Sequence, residues 1–452
     1  MEWRSPPVNR QASDILIVGG GAAGLSAALA TSAKKGVTVT LVDDNPRLGG
    51  QIWRAELGKT KSPDAAKLIA AVEVGQINIV NNAQVFAAPG ANSLLAETPS
   101  GTIEFEYKKL IIATGARERF LPFPGWTLPN VFGAGGLQAL VKGGLNIENK
   151  RIVVAGTGAL LLAVAGYLKS KGAKVVSIAE QTSASKLNKF GLGLWRSPSK
   201  LVQAAALRAK LLGVPYLTDC WVTSAEGCRS PRVSKGVTRT LSDTPLLTRG
   251  LAHPDQASVE TLKTVTLTRK GKTWSIDCDM LACGFHLVPN IELASMLGCT
   301  IDAGFVAVDE FQRTSCENVF CGGEPTAIGG VESSLIEGKI AGFAASGEID
   351  KAREYFADRD KTRDFGERLN RTFALREELK TLAGDATTVC RCEDVTYGRL
   401  TEFSSFREAK LQTRCGMGSC QGRICGAATE FLFDWKVGSV RPPIFPVKME
   451  NL

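Results

Sequence analysis

Short apolar runs that end in glycine alternate along this chain with longer stretches of small and aliphatic residues. The run Asp14–Val18 (DILIV) predicts a buried strand, followed by Gly19-x-Gly21-x-x-Gly24 and an apolar helix (LSAALATSAKK). A second strand (VTVTLVDD) then ends at Asp43 and Asp44, completing a strand–helix–strand unit of the nucleotide-binding kind. The same alternation returns from Arg151 (RIVVAGTGALLLAVAGYLKSKGAKVVSIAE). Two Rossmann-like units are therefore expected, as an internal duplication would produce.

Between the two units, KKLIIATGARE predicts a strand entering a tight loop. Residues 220–274 mix alternating strands (TVTLTRKGKTWSID) with Ser/Thr-rich loops (LSDTPLLTRGLAHPDQ). CENVFCGGEPTAIGGVESSLIEGKIAGFAAS reads as strand, glycine-rich turn and helix. The charged stretch 351–383, with its spaced Leu, Phe and Tyr, predicts an amphipathic helical linker. A cysteine-bearing domain closes the chain and runs into a Pro-rich tail, VRPPIFPVKMENL.

Composition narrows the class. At 452 residues, 44% hydrophobic and 22% charged, with mean hydropathy of +0.01, the chain reads as a soluble globular protein of several domains. Its 54 basic and 45 acidic residues leave a net charge of +9, spread along the chain without a Lys/Arg tract. Nucleic acid is therefore not an expected partner. No apolar run is long enough to span a bilayer, although peripheral association with a membrane stays open. The polar start MEWRSPPVNR and the three glycines after DILIV do not make a secretory leader. The twelve cysteines are accordingly expected to be reduced, in the cytoplasm.

In the first unit, Gly19 permits the tight turn, Gly21 lets backbone approach a pyrophosphate, and Gly24 allows close helix–strand packing. The helix N-terminus then presents N–H groups to the phosphates. Asp43 is placed to accept both ribose hydroxyls, with Asp44 as the adjacent alternative. In the second unit, Gly156-x-Gly158-x-x-Leu161 puts leucine where a third small residue is usual. That side chain would push the helix from the strand or demand a repacked turn. Glu180 could still hold a ribose, and Lys186 and Lys189 could meet a 2′-phosphate, but NAD(P) binding is not expected.

Cys390-x-Cys392 and Cys420-x-x-x-x-Cys425, on glycine-rich turns, can wrap one metal centre from two loops. Soft thiolates suit iron–sulfur clusters or zinc. A zinc ribbon usually shows two C-x2-C knuckles, and the dinucleotide signature beginning at Asp14 is of a kind that can hold a flavin, which would pass electrons singly to a neighbour, so a [2Fe–2S] cluster is the expected occupant. Cys415 is extra: it is read as a bystander thiol that could substitute as a ligand, and Gly416, Gly418 and Gly422 are read as amide donors to cluster sulfur. Cys220, Cys228, Cys278, Cys283, Cys299, Cys316 and Cys321 read as small buried hydrophobes. The only histidines, His253 and His286, have no carboxylate or nucleophile companion at readable spacing. Trp53 and Arg54 could face a flavin ring or a partner, or simply pack on the surface.

Ala113-Thr114-Gly115 and Gly322-Gly323-Glu324 resemble the ATG and GD motifs of the glutathione- and thioredoxin-reductase type of flavoprotein. That resemblance places FAD in the first site. Gly49, Gly50 and Gln51 would then reach toward its flavin side, Val85 would pair the adenine through backbone, and Glu324 would take the ribityl hydroxyls in place of the family's aspartate. No cysteine precedes Cys220, so the dithiol–disulfide chemistry of that family is not expected.

Over nearly its whole length the chain resembles the A subunits of opine oxidases. It is also similar to the flavin–iron–sulfur subunits of hydrogen cyanide synthase and of dye-linked proline or hydroxyproline dehydrogenases. DILIVGGGAAG, VDDNPRLGGQIWR, IIATGARERFLPFPGW, VVAGTGALLLAVA, CGGEPTAIGGVESSLIEGKIAG, VCRCEDVT and TRCGMGSCQGRICG carry the likeness. The resemblance implies an α/β fold of two dinucleotide-binding domains plus a small [2Fe–2S] domain of the bacterioferritin-associated-ferredoxin type. The expected division is an FAD-binding domain over 12–150 and 275–350, interrupted by a degenerate NAD-type domain over 151–274. A helical linker over 351–384 and the cluster domain over 385–452 follow. The implied activity is electron transfer within a heteromeric opine or amino-acid oxidase; the alternatives are a self-sufficient NAD(P)H-dependent FAD/iron–sulfur reductase, a subunit of hydrogen cyanide synthase or of proline/hydroxyproline dehydrogenase, and a non-enzymatic zinc-bearing scaffold. The implied partners are a β subunit resembling D-amino-acid oxidase and a quinone or other electron acceptor.

Overall fold

The computed structural model describes residues 9–54, 62–196, 198–229, 260–438 and 440–451. Its first sheet grows from the strand Asn9–Val18, which pairs in parallel with Val39–Val42 and with Gly101–Ile112. In space the strands run Ile77–Val80, Val39–Val42, Asn9–Val18, Gly101–Ile112, Ser93–Thr98, Gln84–Gly90. Val319–Cys321 returns late in the chain to pair with Gly101–Ile112 as well. The strand expected from Asp14 starts earlier, at Asn9, because polar Asn9–Ser13 keeps register with Ile103–Tyr107. The hairpins of Gln84–Ile112 form an antiparallel meander that local apolar periodicity does not announce.

The expected helix forms over Ala22–Ser32 and buries Leu25, Ala27 and Ala28 completely. Its small residues allow close contact on two sides. Helix Gly330–Ser346 rides directly on it, with Gly338 against Ala23 and Gly342 against Ala27, where any side chain would collide with backbone.

The second sheet is parallel throughout, in the order Tyr216–Thr218, Lys174–Glu180, Arg151–Thr157, Met280–Phe285, Val131–Gly133. This corrects the expected domain boundaries. Met280–Phe285, expected in the flavin domain, instead completes the second unit, and Val131–Gly133 joins it from before residue 151. A wholly apolar strand fits either parallel sheet, so sequence alone does not choose between them. A separate antiparallel sheet joins Cys220–Arg229, Glu260–Arg269 and Lys272–Asp277. The Ser/Thr-rich loop and His253 lie outside the described residues.

The expected linker is helical over Ile349–Arg353 and Phe356–Thr372, yet it is packed, not free. Arg363 pairs with buried Glu337 at 2.9 Å. The C-terminal region has its own core of Val389, Leu400, Phe406, Ala409 and Trp435 with Cys390, Cys415 and Cys425. Trp126 ties it to the preceding domain by donating to the Thr388 carbonyl at 2.6 Å. The tail then folds back on the meander, Ile444 N–H donating to the Phe86 carbonyl at 2.8 Å. Among the described residues, no helix is long and apolar enough to cross a membrane.

Candidate flavin and metal sites

Glycine lets three loops of the first sheet meet at one point. Gly19 has φ of +110°, and a Cβ on it would lie 2.2 Å from the Ala113 carbonyl oxygen. The expected Ala113-Thr114-Gly115 loop is therefore pressed against the expected Gly19-x-Gly21-x-x-Gly24 loop. Gly21 caps the helix, and Gly49 N–H donates to the Gly20 carbonyl at 2.8 Å, folding the Gly49-Gly50 turn onto Gly21. Gln51 is exposed beside them and accepts from Arg54 at 3.0 Å.

Asp43 is buried at the end of its strand. It accepts from the Gly20 N–H and, at 2.7 Å, from the Asn45 N–H, so its carboxylate is held rigidly beside the phosphate loop. Asp44 points outward, exposed, and accepts from Asn45 Nδ2 at 2.6 Å. Of the two, Asp43 has the position for a ribose. Ala83 N–H donates to the Asp43 carbonyl at 2.9 Å, which brings Val85 to the same edge, although its side chain is buried in the core. Trp53 packs against the core, and Arg54 ties its loop to Asn45.

Gly323 closes the site from the other side, near Ala23 at the start of the helix. Its N–H donates to Glu337, a fully buried carboxylate that also accepts from Thr326 at 2.7 Å and Arg363 at 2.9 Å. Glu324 follows, partly buried, and desolvation pushes its carboxyl up from 4.5 to about 7. An unfolded carboxyl ionises near 4.5 whereas this one keeps its proton to about 7. The flavin-free protein is therefore expected to lose stability as pH rises through that window. Glu324→Gln should flatten that part of the melting-temperature profile; an identical profile would contradict the burial.

Two further organising residues belong to none of the motifs. One is Glu337, inside an otherwise ordinary helix. The other is Asn290, which clamps the flavin-side loop: its Nδ2 donates to the Thr114 carbonyl at 2.8 Å and its N–H to the Gly115 carbonyl at 2.9 Å. Thr114 Oγ1 returns a bond to the Asn290 carbonyl at 2.7 Å. Only the Pro289-Asn290 step after an apolar strand hints at such a turn.

The second unit departs from expectation in two ways. Leu161 does not push its helix away; it is fully buried against Gly284 of the neighbouring strand, which has no side chain to oppose it. Glu180, expected to be able to hold a ribose, has no exposed surface, and accepts from the Gly158 and Thr182 N–H groups at 2.9 Å each. The chain itself covers this edge. Thr157 and Gln181 donate to the Phe373 and Ala374 carbonyls at 3.1 and 3.0 Å, and Arg376 N–H donates to Gln181 at 3.0 Å. Lys186 lies at the capped start of its helix, where its N–H donates to Ser183; Lys189 lies further along.

Cys390, Cys392, Cys420 and Cys425 line one cavity of about 220 Å³ with Phe120, Trp126, Val131, Phe132, Gly133, Arg391 and Ile424. Close packing makes this possible: a Cβ on Gly418 would lie 2.2 Å from the Cys392 Cβ. The donor set is all sulfur, with apolar and aromatic walls, which fits a soft metal or iron–sulfur centre. The thiols of Cys415 and Cys425 favour the thiolate of Cys390, and Cys425 pushes the Cys420 thiol down to about 5. Cys415 is not a distant bystander. It is fully buried, and its Sγ lies with those of Cys390 and Cys425 inside 4.8 Å, though it does not line the cavity.

Cys220, Cys278, Cys283, Cys299 and Cys321 are buried as expected, whereas Cys316 is half-buried and Cys228 is exposed. His286 is half-buried, in a left-handed conformation (φ +75°), with its imidazole pushed below the usual range by burial and by Arg119.

The pyridine nucleotide-disulphide oxidoreductase family profile matches residues 13–340. The chain belongs to that family. It is therefore an oxidoreductase, with a dinucleotide-binding α/β fold of the FAD type. Curated relatives agree with the resemblance seen in the motifs. Hydrogen cyanide synthase subunit HcnB of Pseudomonas aeruginosa is 28% identical, over 91% of this chain and 90% of the relative. The opine oxidase A subunit of Rhizobium meliloti is 27% identical, over 98% and 88%. L-proline dehydrogenase from P. horikoshii shares the fold at a TM-score of 0.66 and 17% identity, covering 100% of this chain and 81% of that one.

Proposed function

We propose that this chain is the FAD- and [2Fe–2S]-containing electron-transfer subunit of a heteromeric oxidase. That complex would oxidatively cleave a secondary amine of the opine class, such as octopine or nopaline. The observation that carries this reading is that four cysteines, Cys392 of them exposed, line one half-open cavity on a chain that belongs to an oxidoreductase family of the FAD type. The flavin would accept and pass on electrons while the cluster takes them singly.

The chain's own part is to bind and to orient. Gly19, Gly21 and Gly24 with the helix N-terminus receive the pyrophosphate, and Asp43 the ribose. Ala113, Thr114, Gly115, Gly50 and Gln51 flank the flavin, with Gly323 and Glu324 toward the ribityl chain and Val85 toward the adenine. Cys390, Cys392, Cys420 and Cys425 hold the metal, and Phe120, Trp126 and Phe132 supply the apolar part of the cavity wall around it.

Substrate oxidation belongs to a partner, a β subunit resembling D-amino-acid oxidase, and electrons leave for a quinone or other acceptor. The complex would work in the cytoplasm, at the inner face of the membrane where its acceptor is lipid-borne. Relatives named for opine oxidation and for hydrogen cyanide synthesis match at nearly equal identity. A subunit of a hydrogen cyanide synthase is for that reason the second reading.

Anaerobically purified chain is expected to show flavin bands with a broad cluster shoulder, unchanged by NADH. About two iron and two acid-labile sulfide per chain should accompany them. Zinc without sulfide would refute the cluster, and bleaching by NADH would make the chain a reductase in its own right.

A further inference from the structure

We propose that Arg423, Glu292 and Arg117 form a half-buried charge triad that raises the reduction potential of the metal centre and fastens its loop to the flavin-side loop. The proposal rests on the cluster reading above. Arg423 lies between Cys420 and Cys425 in the chain, and its guanidinium is bound back onto the cysteine loop itself. Its Nη1 donates to the Cys420 carbonyl at 3.4 Å, and its Nη2 to the Ile444 carbonyl. The guanidinium also stacks on the Phe445 ring at 3.9 Å, which leaves it little freedom.

Glu292 serves two arginines. Its Oε1 lies 2.9 Å from Arg117 Nη1 and 3.7 Å from Arg423 Nε. The three side chains are 23%, 16% and 15% exposed for Arg117, Glu292 and Arg423. Two guanidinium groups against one carboxylate leave a net positive charge in a poorly hydrated junction, where screening is weak. One-electron reduction of a cysteine-ligated cluster adds one negative charge to it. A fixed positive charge beside it favours the reduced form and raises the potential.

The same triad is a mechanical joint. Arg117 Nε donates to the Arg423 carbonyl at 3.2 Å, and its Nη1 to Asn290 Oδ1 at 2.8 Å. Asn290 is the residue that clamps Thr114 and Gly115. A continuous set of hydrogen bonds thus joins the expected flavin loop to the cysteine loop, with no other domain intervening.

The test is a dithionite redox titration of the full chain, followed by the electron paramagnetic resonance of the reduced cluster, with iron, sulfide and FAD assayed in each variant. Arg423→Gln is expected to lower the midpoint potential and Glu292→Gln to raise it, while Arg423→Lys stays close to wild type. Opposite signs from neighbouring residues are what a charge effect requires; a packing role would shift both variants the same way. Full iron with potentials unmoved, or moved together, overturns this proposal alone. Wild-type chain without iron and sulfide overturns the cluster reading and this proposal with it. Should Arg423→Gln fail to hold its cluster, Arg423→Lys and Glu292→Gln decide: no rise in Glu292→Gln overturns the triad.

Discussion

Cys420→Ser is expected to strip most of the iron and sulfide from the chain and leave its FAD in place. Cys420 is half-buried on the cavity wall, with the Cys425 thiol favouring its thiolate. A serine hydroxyl is a harder donor and stays protonated near neutral pH, so it replaces a thiolate poorly on iron. Flavin should survive because the C-terminal core is separate from the two cores of the first sheet, which carry the dinucleotide loops. Where a metal stabilises a small domain, losing one ligand also loosens its fold. Tryptophan emission should therefore change too, since Trp435 lies in that core. Iron, sulfide and FAD per chain are the measurement. Cys415→Ser, whose sulfur does not line the cavity, should keep its iron. If instead Cys420→Ser keeps its iron and Cys415→Ser loses it, the ligand set must be redrawn around Cys390, Cys415 and Cys425.

Gly24→Val is expected to produce the reverse phenotype, iron without flavin. A Cβ on Gly24 would sit 1.7 Å from the Gly19 carbonyl oxygen, well inside any tolerable contact. Gly19 cannot yield easily, because it is itself pressed on Ala113 in a conformation that side chains rarely adopt. Helix Ala22–Ser32 must therefore lift from its strand, opening the loop that would cradle the pyrophosphate. Overpacking of this kind costs about 1–3 kcal/mol or more. Applied to binding, that is roughly a ten- to hundredfold loss of FAD affinity. The FAD-to-protein ratio after gel filtration checks it. A full complement of flavin in Gly24→Val would mean that the first unit does not bind its ligand through this loop.

Much of the candidate site is legible in the sequence because its signals are local. Glycine at three fixed spacings, an apolar strand before it and a carboxylate after it describe one loop and its two neighbours. The cysteines likewise declare themselves in pairs within a few residues. The structure packs Gly19 on Ala113 and Gly323 on Ala23, and Asp43 accepts from the Gly20 N–H. Where the local pattern misleads, the missing information is a contact across the chain. Leu161 looks like an obstruction because Gly284, which makes room for it, is far away in sequence. Glu180 looks like a ribose ligand because nothing near it announces that residues 373–376 will fold over its strand ends.

Sequence alone determined the two strand–glycine–helix units, the flavoprotein character of the first, and the four sulfurs of the cavity. All of these depend on backbone freedom and side-chain chemistry within short windows, where spacing and composition carry the physics. Tertiary structure decided which sheet Met280–Phe285 would join, that the Cys415 sulfur would lie within 4.8 Å of those of Cys390 and Cys425, and that Glu337 and Asn290 would brace the loops of the expected flavin site. It also placed Arg117 and Arg423 on one carboxylate between the two expected redox sites. Those outcomes follow from burial of apolar surface and from satisfying buried polar groups between distant segments, and a linear pattern does not encode which segments will meet.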